Sequence, residues 1–454
     1  MRTRISAILI ILLGTTLAAG CSIFGKPDIE TADSGISGTI KVMYWDEQSF
    51  MNKYGYLFMA EHKNIDIEVV STSGLHNYDS SEIPNLNAAY HKLIEEEKPD
   101  VIMVGIDDLE KLAADGALYD LEPSIMRDKF DIENIHPTII EYLRKKGGGK
   151  LYALAPNFTS QALFINRDLF QQYGIELPPE KLSWEELFLT AMRFPVTGGD
   201  RDRVYGYHNG EYRNTPYHLL LTVADEMGLR MENQGTATMQ TPSWKRAVEL
   251  VAQLYKSGVV QVGELPKTPD MTYTEMWMLD HLFLAGRVAM TMGDPDLMRD
   301  LNEIGATEKE LKFNWEILHA PSSATGHSQN FSLNEVFAIN AKSTNLKAAW
   351  EFIRYSSGDE IARIRSRNPD EMWSRITHMK TKDNKSIEPF YQLSFDRNAA
   401  PVNTVYAELP QMMETAITTE LNEVIADRKS VEAALEAIEL EARKQIQQLN
   451  IQNK

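Results

Sequence analysis

A chain of 454 residues is too long for one ordinary hydrophobic core, so its length predicts two domains. With 43% hydrophobic and 24% charged residues it has the composition of a folded globular protein, which excludes a disordered chain or one built from membrane spans. The formal net charge of −19 excludes nucleic acid and anionic lipid surfaces as expected partners, because both require basic patches that no Lys/Arg cluster here supplies.

The first residues depart from this composition. Arg2 and Arg4 give a positive start, Ile5 to Leu13 an apolar run too short to span a bilayer, and Ala18-Ala19-Gly20 small residues, so 1–20 reads as a signal peptide. Cys21 follows at once and is the single cysteine, which rules out an intramolecular disulfide and any cysteine-based zinc site. The position resembles a bacterial lipoprotein box, which implies that Cys21 is lipidated and that export leaves the chain anchored to the outer face of the cell membrane. Residues 21–38 are polar, carry Pro27, Gly35 and Gly38, and have no apolar period to bury; they read as a flexible tether.

Beyond the tether the pattern is βαβαβ. Thr39 to Tyr44 predicts a strand, Asn52 to Glu61 a helix, Asp66 to Ser71 a strand, Asn85 to Glu97 a helix, and Val101 to Val104 a buried parallel strand. Asp107 to Glu110 resembles a capping box for a helix that stops at Gly116. This alternation predicts an α/β fold with helices on both faces of its sheet. Gly147 to Ile175 then joins a strand, Lys150 to Leu154, to a second strand, Gln161 to Asn166, through Pro156-Asn157-Phe158-Thr159, and its pattern fits either a hairpin or a thin connection between lobes.

The style afterwards is more helical. Ser183-Trp184-Glu185-Glu186 is a capping box, and Pro216 to Met227 and Trp244 to Ser257 are further helices. The acids of Thr197 to Asp202 are interrupted by arginine and lack calcium-loop spacing, so no metal is expected there. Gly286 to Met292 predicts a strand running into Asp294 as cap and Pro295 as first helical residue, which sets a helix N-terminus at a strand end. Asn314 to Pro321 and Glu335 to Ile339 are strands, and Asn345 to Ser356 is an amphipathic helix. The tail from Leu409 is helical, with an apolar stripe Leu435, Ile438, Ala442, Ile446 and Leu449 behind a cap at Ser430.

Several landmarks then stand in one order: Tyr44-Trp45-Asp46; Lys98-Pro99-Asp100-Val101; Leu112-Ala113-Ala114-Asp115-Gly116-Ala117-Leu118; Gly149-Lys150-Leu151-Tyr152-Ala153-Leu154-Ala155-Pro156; Phe164-Ile165-Asn166-Arg167-Asp168; Phe283-Leu284-Ala285-Gly286-Arg287-Val288-Ala289-Met290; and Ala348-Ala349-Trp350-Glu351-Phe352. With the lipoprotein box, this order resembles the extracellular solute-binding proteins of bacterial ABC importers, in the group that includes maltose-binding protein. The resemblance implies a class II, two-lobed α/β fold of mixed sheets flanked by helices, with a hinge between the lobes. It implies an N-terminal lobe of 39–154 plus 334–366, a C-terminal lobe of 157–331 plus 370–454, and crossings near 152–156, 331–336 and 364–370. It also implies capture of a carbohydrate by a monomer, without cofactor, and delivery to the transmembrane subunits of a permease.

A sugar site needs flat apolar faces for C–H groups and Asp, Glu or Asn for paired hydroxyls. In a cleft between such lobes the strand-end candidates are Trp45, Asp46, Glu47, Asp107, Asn157, Phe158, Asp294, Asn330 and Phe331, with Trp373 in the loop after the third crossing and Trp277 in the second lobe. Each has a plainer alternative: Trp45 and Phe158 as core aromatics, Asp107 and Asp294 as helix caps. The motifs H-E-x-x-H, G-x-S-x-G and G-x-x-x-x-G-K-[ST] are absent from the sequence, so binding, not catalysis, is expected. A peptide or organic acid is the alternative solute, and a glycosidase with paired carboxylates such as Asp46 and Asp294 the remaining alternative.

Overall fold

The computed structural model describes residues 35–77, 83–199, 201–210, 215–263, 265–307, 313–321, 330–367, 372–378, 386–395, 404–406 and 408–452. The expected signal peptide, Cys21, most of the tether and part of the third crossing lie outside the described residues.

Two larger sheets carry the fold. The first takes β1 (Gly38–Tyr44), β2 (Ile65–Ser71), β3 (Val101–Met103), β4 (Ala153–Leu154) and β13 (Phe337–Ile339), in the order β2-β1-β3-β13-β4. β1 runs parallel to β2 from Gly38↔Ile65 to Tyr44↔Ser71 and parallel to β3 at Val42↔Val101, while β13 is antiparallel to β3 and β4. Val101, Ile102 and Met103 are all buried, as an unbroken apolar run covered on both faces requires.

The second sheet takes β6 (Ala162–Asn166), β7 (Tyr205–His208), β10 (Val288–Gly293) and β11 (Trp315–Leu318), in the order β11-β6-β10-β7. Its strands are buried on both faces and divide their side chains by the two-residue period. Phe164 joins the core shared with the first sheet, and Leu163 and Ile165 join a second core. That second core takes the tail: helices Leu409–Ile425 and Val431–Gln452 bury Leu409, Met413, Ile417 and Leu421, and the stripe Leu435, Ile438, Ala442, Ile446 and Leu449. Ser430 Oγ accepts from the amide of Ala433 at 3.2 Å, the expected cap. Gly206 permits the close approach of helix Trp184–Ala191 to β7, since a Cβ there would lie 2.2 Å from the Ala191 carbonyl oxygen. A short hairpin, β8 (Glu232–Asn233) with β9 (Thr236–Ala237), lies beside the tail.

Between the two stands a small sheet: β5 (Asn157–Ser160) flanked by β12 (Phe331–Ser332) and β14 (Met372–Trp373), all antiparallel. Its strands come from three distant parts of the chain, one from each passage between the larger sheets' segments. Residues 386–395 run beside all three. Ser160 Oγ donates to the Phe390 carbonyl at 2.6 Å, Asn330 Nδ2 to the Gln392 carbonyl at 2.6 Å, and the Tyr391 hydroxyl to the Trp373 carbonyl at 3.2 Å.

Three local expectations change. The span Pro156 to Thr159 is not a bare link, because Asn157 to Ser160 gains two strand partners and pairs on both sides. The first helix begins at Glu47, not Asn52, because Asp46 caps it, and it passes through a wide turn over Met51–Gly55. Asp107 does not cap its helix. Gly105 takes the cap position of Ile106–Ala114, leaving Asp107 in the first turn, where the positive end of the helix dipole favours an acid.

Candidate functional site

The ends of β7 and β10 open on a cavity of about 500 Å³. It lies where the sequence steps from the small sheet to the second sheet, for Gln161 is the sole residue between β5 and β6 and it lines the cavity. Placing a pocket at strand ends follows from the fold, since strands stop there and the backbone turns away, leaving room and unsatisfied polar groups.

β7 delivers His208, followed by Asn209 and Gly210. The Thr291 hydroxyl of β10 donates to the His208 carbonyl at 2.9 Å, and the Tyr207 hydroxyl donates to Asn209 Oδ1 at 2.7 Å, so the strand ends are tied before any solute arrives. His208 is 7% exposed, and burial pushes its imidazole down to about 4 against the opposing hydrogen bond of Gln261. It is therefore neutral at physiological pH.

β10 delivers Thr291, Met292 and Gly293. A Cβ on Gly293 would come within 2.4 Å of the Leu297 side chain and 2.9 Å of the Phe164 ring, so any larger residue would have to displace them. Asp294 follows and accepts from the amides of Asp296 at 3.0 Å and Leu297 at 3.3 Å, capping the helix Pro295–Thr307 with one carboxylate oxygen. The first turns of that helix bring Asp296, Arg299 and Asp300 to the cavity, and Leu282, Phe283 and Leu284 form its apolar wall. Hydroxyl-pairing groups beside flat apolar surface are what a polyhydroxylated ligand requires.

Of the sequence candidates, Asp294 alone lines this cavity. Asn157 and Trp373 are brought together as register partners of β5 and β14 and both reach Tyr54. The Trp373 ring meets Tyr54 edge-on at 6.4 Å, and Asn157 Nδ2 donates to Glu335 Oε2 at 2.6 Å and to the Tyr54 hydroxyl at 3.1 Å. Phe158 is 1% exposed and packs on Tyr391, which puts its ring in the core. Phe331 is buried against Tyr142, and Asn330 clips the backbone of Gln392 and Ser394.

At the end of β1, Trp45 is exposed, Glu47 is exposed, and both oxygens of Asp46 accept from Ser49, which lowers the Asp46 pKa. Asp107 pairs with Lys146 at 3.2 Å on the surface, and Trp277 tilts against His281 with ring centres 4.6 Å apart. Sequence reasoning missed Gln161, His208, Asn209, Thr291 and Arg299. The Asn-Gly pair directly after the Tyr205–His208 strand was the available signal for one of these strand ends. Among the described residues, no group of three or more His, Cys, Asp or Glu could hold a metal ion, and no helix is long and apolar enough to cross a membrane.

Known proteins share this fold. The sugar-binding protein MalE of Xanthomonas citri superposes with a TM-score of 0.62 at 16% identity, over 90% of this chain and 98% of that one. A sugar transporter of Rhizobium etli in an open conformation gives 0.59 at 17%, over 90% and 99%. The GacH receptor of Streptomyces glaucescens, solved unliganded and with acarbose, gives 0.57 at 20%, over 91% and 99%. In sequence, a binding protein of Brucella abortus is 25% identical over 211 residues, a match that spans 46% of this chain and 46% of that relative, about half its length. The model of the bacterial extracellular solute-binding proteins matches residues 41–363, most of the chain, and the protein belongs to that family.

Proposed function

We propose that the protein captures a carbohydrate in the cleft between its lobes and hands it to the transmembrane subunits of an ABC importer. The observation that carries this reading is Gln161. The residue at which the chain passes from the small sheet to the second sheet also lines the cavity, so a solute held there sits at the joint. The sugar-binding relatives, with acarbose in one of them, support carbohydrate as the solute class.

The joint also suggests where the lobes divide. β5, β12, β14 and residues 386–395 pair with one another, and Asn157 bonds to the first lobe, so we assign the small sheet to the first lobe and the first bend to Gln161. A solute touching both lobes only when they are closed would favour the closed state, which is all that capture requires; no bond is made or broken. Lipidation of Cys21 would keep the monomer at the membrane face where the permease stands.

The test is a thermal-shift panel of mono- and oligosaccharides, with small-angle scattering on each hit. A sugar that raises the melting temperature and compacts the protein supports the proposal. Peptides or organic acids giving the shift while every sugar fails would overturn the solute class. The mass of the mature N-terminal peptide from membranes tests the anchor: an unmodified Cys21 would remove it.

A further inference from the structure

This inference rests on the reading that the cavity at the ends of β7 and β10 takes a solute, and it concerns which charge that solute carries. Three carboxylates line the cavity, Asp294, Asp296 and Asp300, against one guanidinium, Arg299. The guanidinium is already committed. Arg299 Nη1 donates to Asp296 Oδ1 at 2.8 Å, and its Nε and Nη2 donate to Asp300 Oδ1 at 3.1 and 3.0 Å. His208 brings no charge at neutral pH, and Gln161, Asn209 and Thr291 are neutral. An incoming anion would therefore meet a wall with a surplus of two carboxylates, whose one cation cannot turn to it without leaving its two partners.

We propose that Asp296 and Asp300 are specificity determinants: by occupying Arg299 they make the cavity accept neutral and amino-bearing sugars and reject sugars that carry a carboxylate or phosphate. A planar guanidinium is the usual bidentate receptor for a carboxylate, so an Arg in a cavity wall would ordinarily predict an acidic ligand. Here the pairing of Arg299 with Asp296 and Asp300 reverses that expectation. Like charges about 6 Å apart at a partly solvated protein surface are enough to shift affinity by roughly tenfold to a hundredfold.

The test measures, by calorimetry on the full chain at neutral pH, galactose, galactosamine and galacturonate, and the matching glucose set, with oligosaccharide hits from the panel added in neutral and uronate forms. The expected result is binding of the uronate at least about tenfold weaker than its neutral parent, with the amino sugar no weaker than the parent. The second arm is a gain of function. In the Asp296→Asn, Asp300→Asn double variant Arg299 loses both carboxylate partners, and the ratio of uronate to parent affinity should rise at least about tenfold. Circular dichroism checks that the variant is folded; if it is not, the single Asp300→Asn is used for the same ratio.

A uronate that binds the natural protein as tightly as its parent overturns this inference and leaves the carbohydrate reading intact. A ratio unmoved in the folded variant does the same. If only peptides bind, the carbohydrate reading falls and the charge rule is read on them: a lysine-containing peptide should outbind its glutamate counterpart, and the reverse order overturns it. An organic acid as the sole solute overturns both.

Discussion

Lys53 Nζ lies 2.8 Å from Glu335 Oε1, a partly buried ion pair between residues 282 positions apart. Lys53 comes from the wide turn Met51–Gly55, and Glu335 from the segment between β12 and β13. The hydroxyls of Tyr44 and Tyr54 and the Nδ2 of Asn157 also donate to this carboxylate, so both oxygens are satisfied and two of the connections between the larger sheets are fixed to one point. Glu335→Ala should destabilise the protein by about 3–5 kcal/mol, since it takes the shared carboxylate acceptor from Tyr44, Tyr54, Asn157 and the partly buried Lys53 at once. Equilibrium unfolding in urea measures this, and a loss within the range of an ordinary surface substitution would show that the pair is not what holds the segment.

The same carboxylate predicts a pH dependence. Burial alone pushes Glu335 up, but the charge of Lys53 and the hydrogen bonds of Lys53, Tyr44 and Tyr54 outweigh it and hold the group below its ordinary value of 4.5. A group that binds its proton less readily when folded contributes stability that is fully present above pH 4.5 and is lost as pH falls through the folded value. The stability gap between the natural protein and Glu335→Gln should thus be constant near neutrality and narrow below pH 4.5. Urea titrations across an acid pH series read it directly; a gap that widens with acid contradicts the sign.

Gly206→Ala should cost about 1–3 kcal/mol, because the new methyl would lie 2.2 Å from the Ala191 carbonyl oxygen and helix and strand would have to separate. The check is a thermal melt of the variant. No change in melting temperature would mean that the helix yields without loss.

Asp294 holds two roles that substitutions can separate. Asp294→Ala removes the cap of Pro295–Thr307 and should lose about 1 kcal/mol of stability, whereas Asp294→Asn keeps a capping oxygen and should lose little. Both remove the carboxylate from the cavity, so solute affinity should fall about tenfold or more in each if that oxygen meets a hydroxyl. Stability from urea melts and affinity from calorimetry distinguish the two; affinity that follows stability would leave Asp294 as a cap only.

Much of the fold is legible in the sequence because it is written in local patterns. The all-apolar run at Val101 announces a strand covered on both faces, the Ser183 and Ser430 caps announce helix starts, and the stripe from Leu435 to Leu449 announces the face that meets the second core. Asp294 was legible for the same reason, as a cap beside Pro295 at a strand end. Asn157, Phe158 and Trp373 are not told apart by local pattern, because an aromatic or amide at a strand end reads alike whether it faces solute or core.

What the sequence by itself determined is the order and type of the elements and, through its landmark motifs, the family, since these rest on neighbours a few residues apart. Only the tertiary structure decided what those elements share. It paired Asn157, Phe331 and Met372 segments into one sheet, set Lys53 against Glu335, left Gln161 as the single step between two sheets, and gathered His208, Thr291 and Arg299 around one cavity. Contacts between residues hundreds of positions apart are settled by packing and burial of the whole chain, which no local period records.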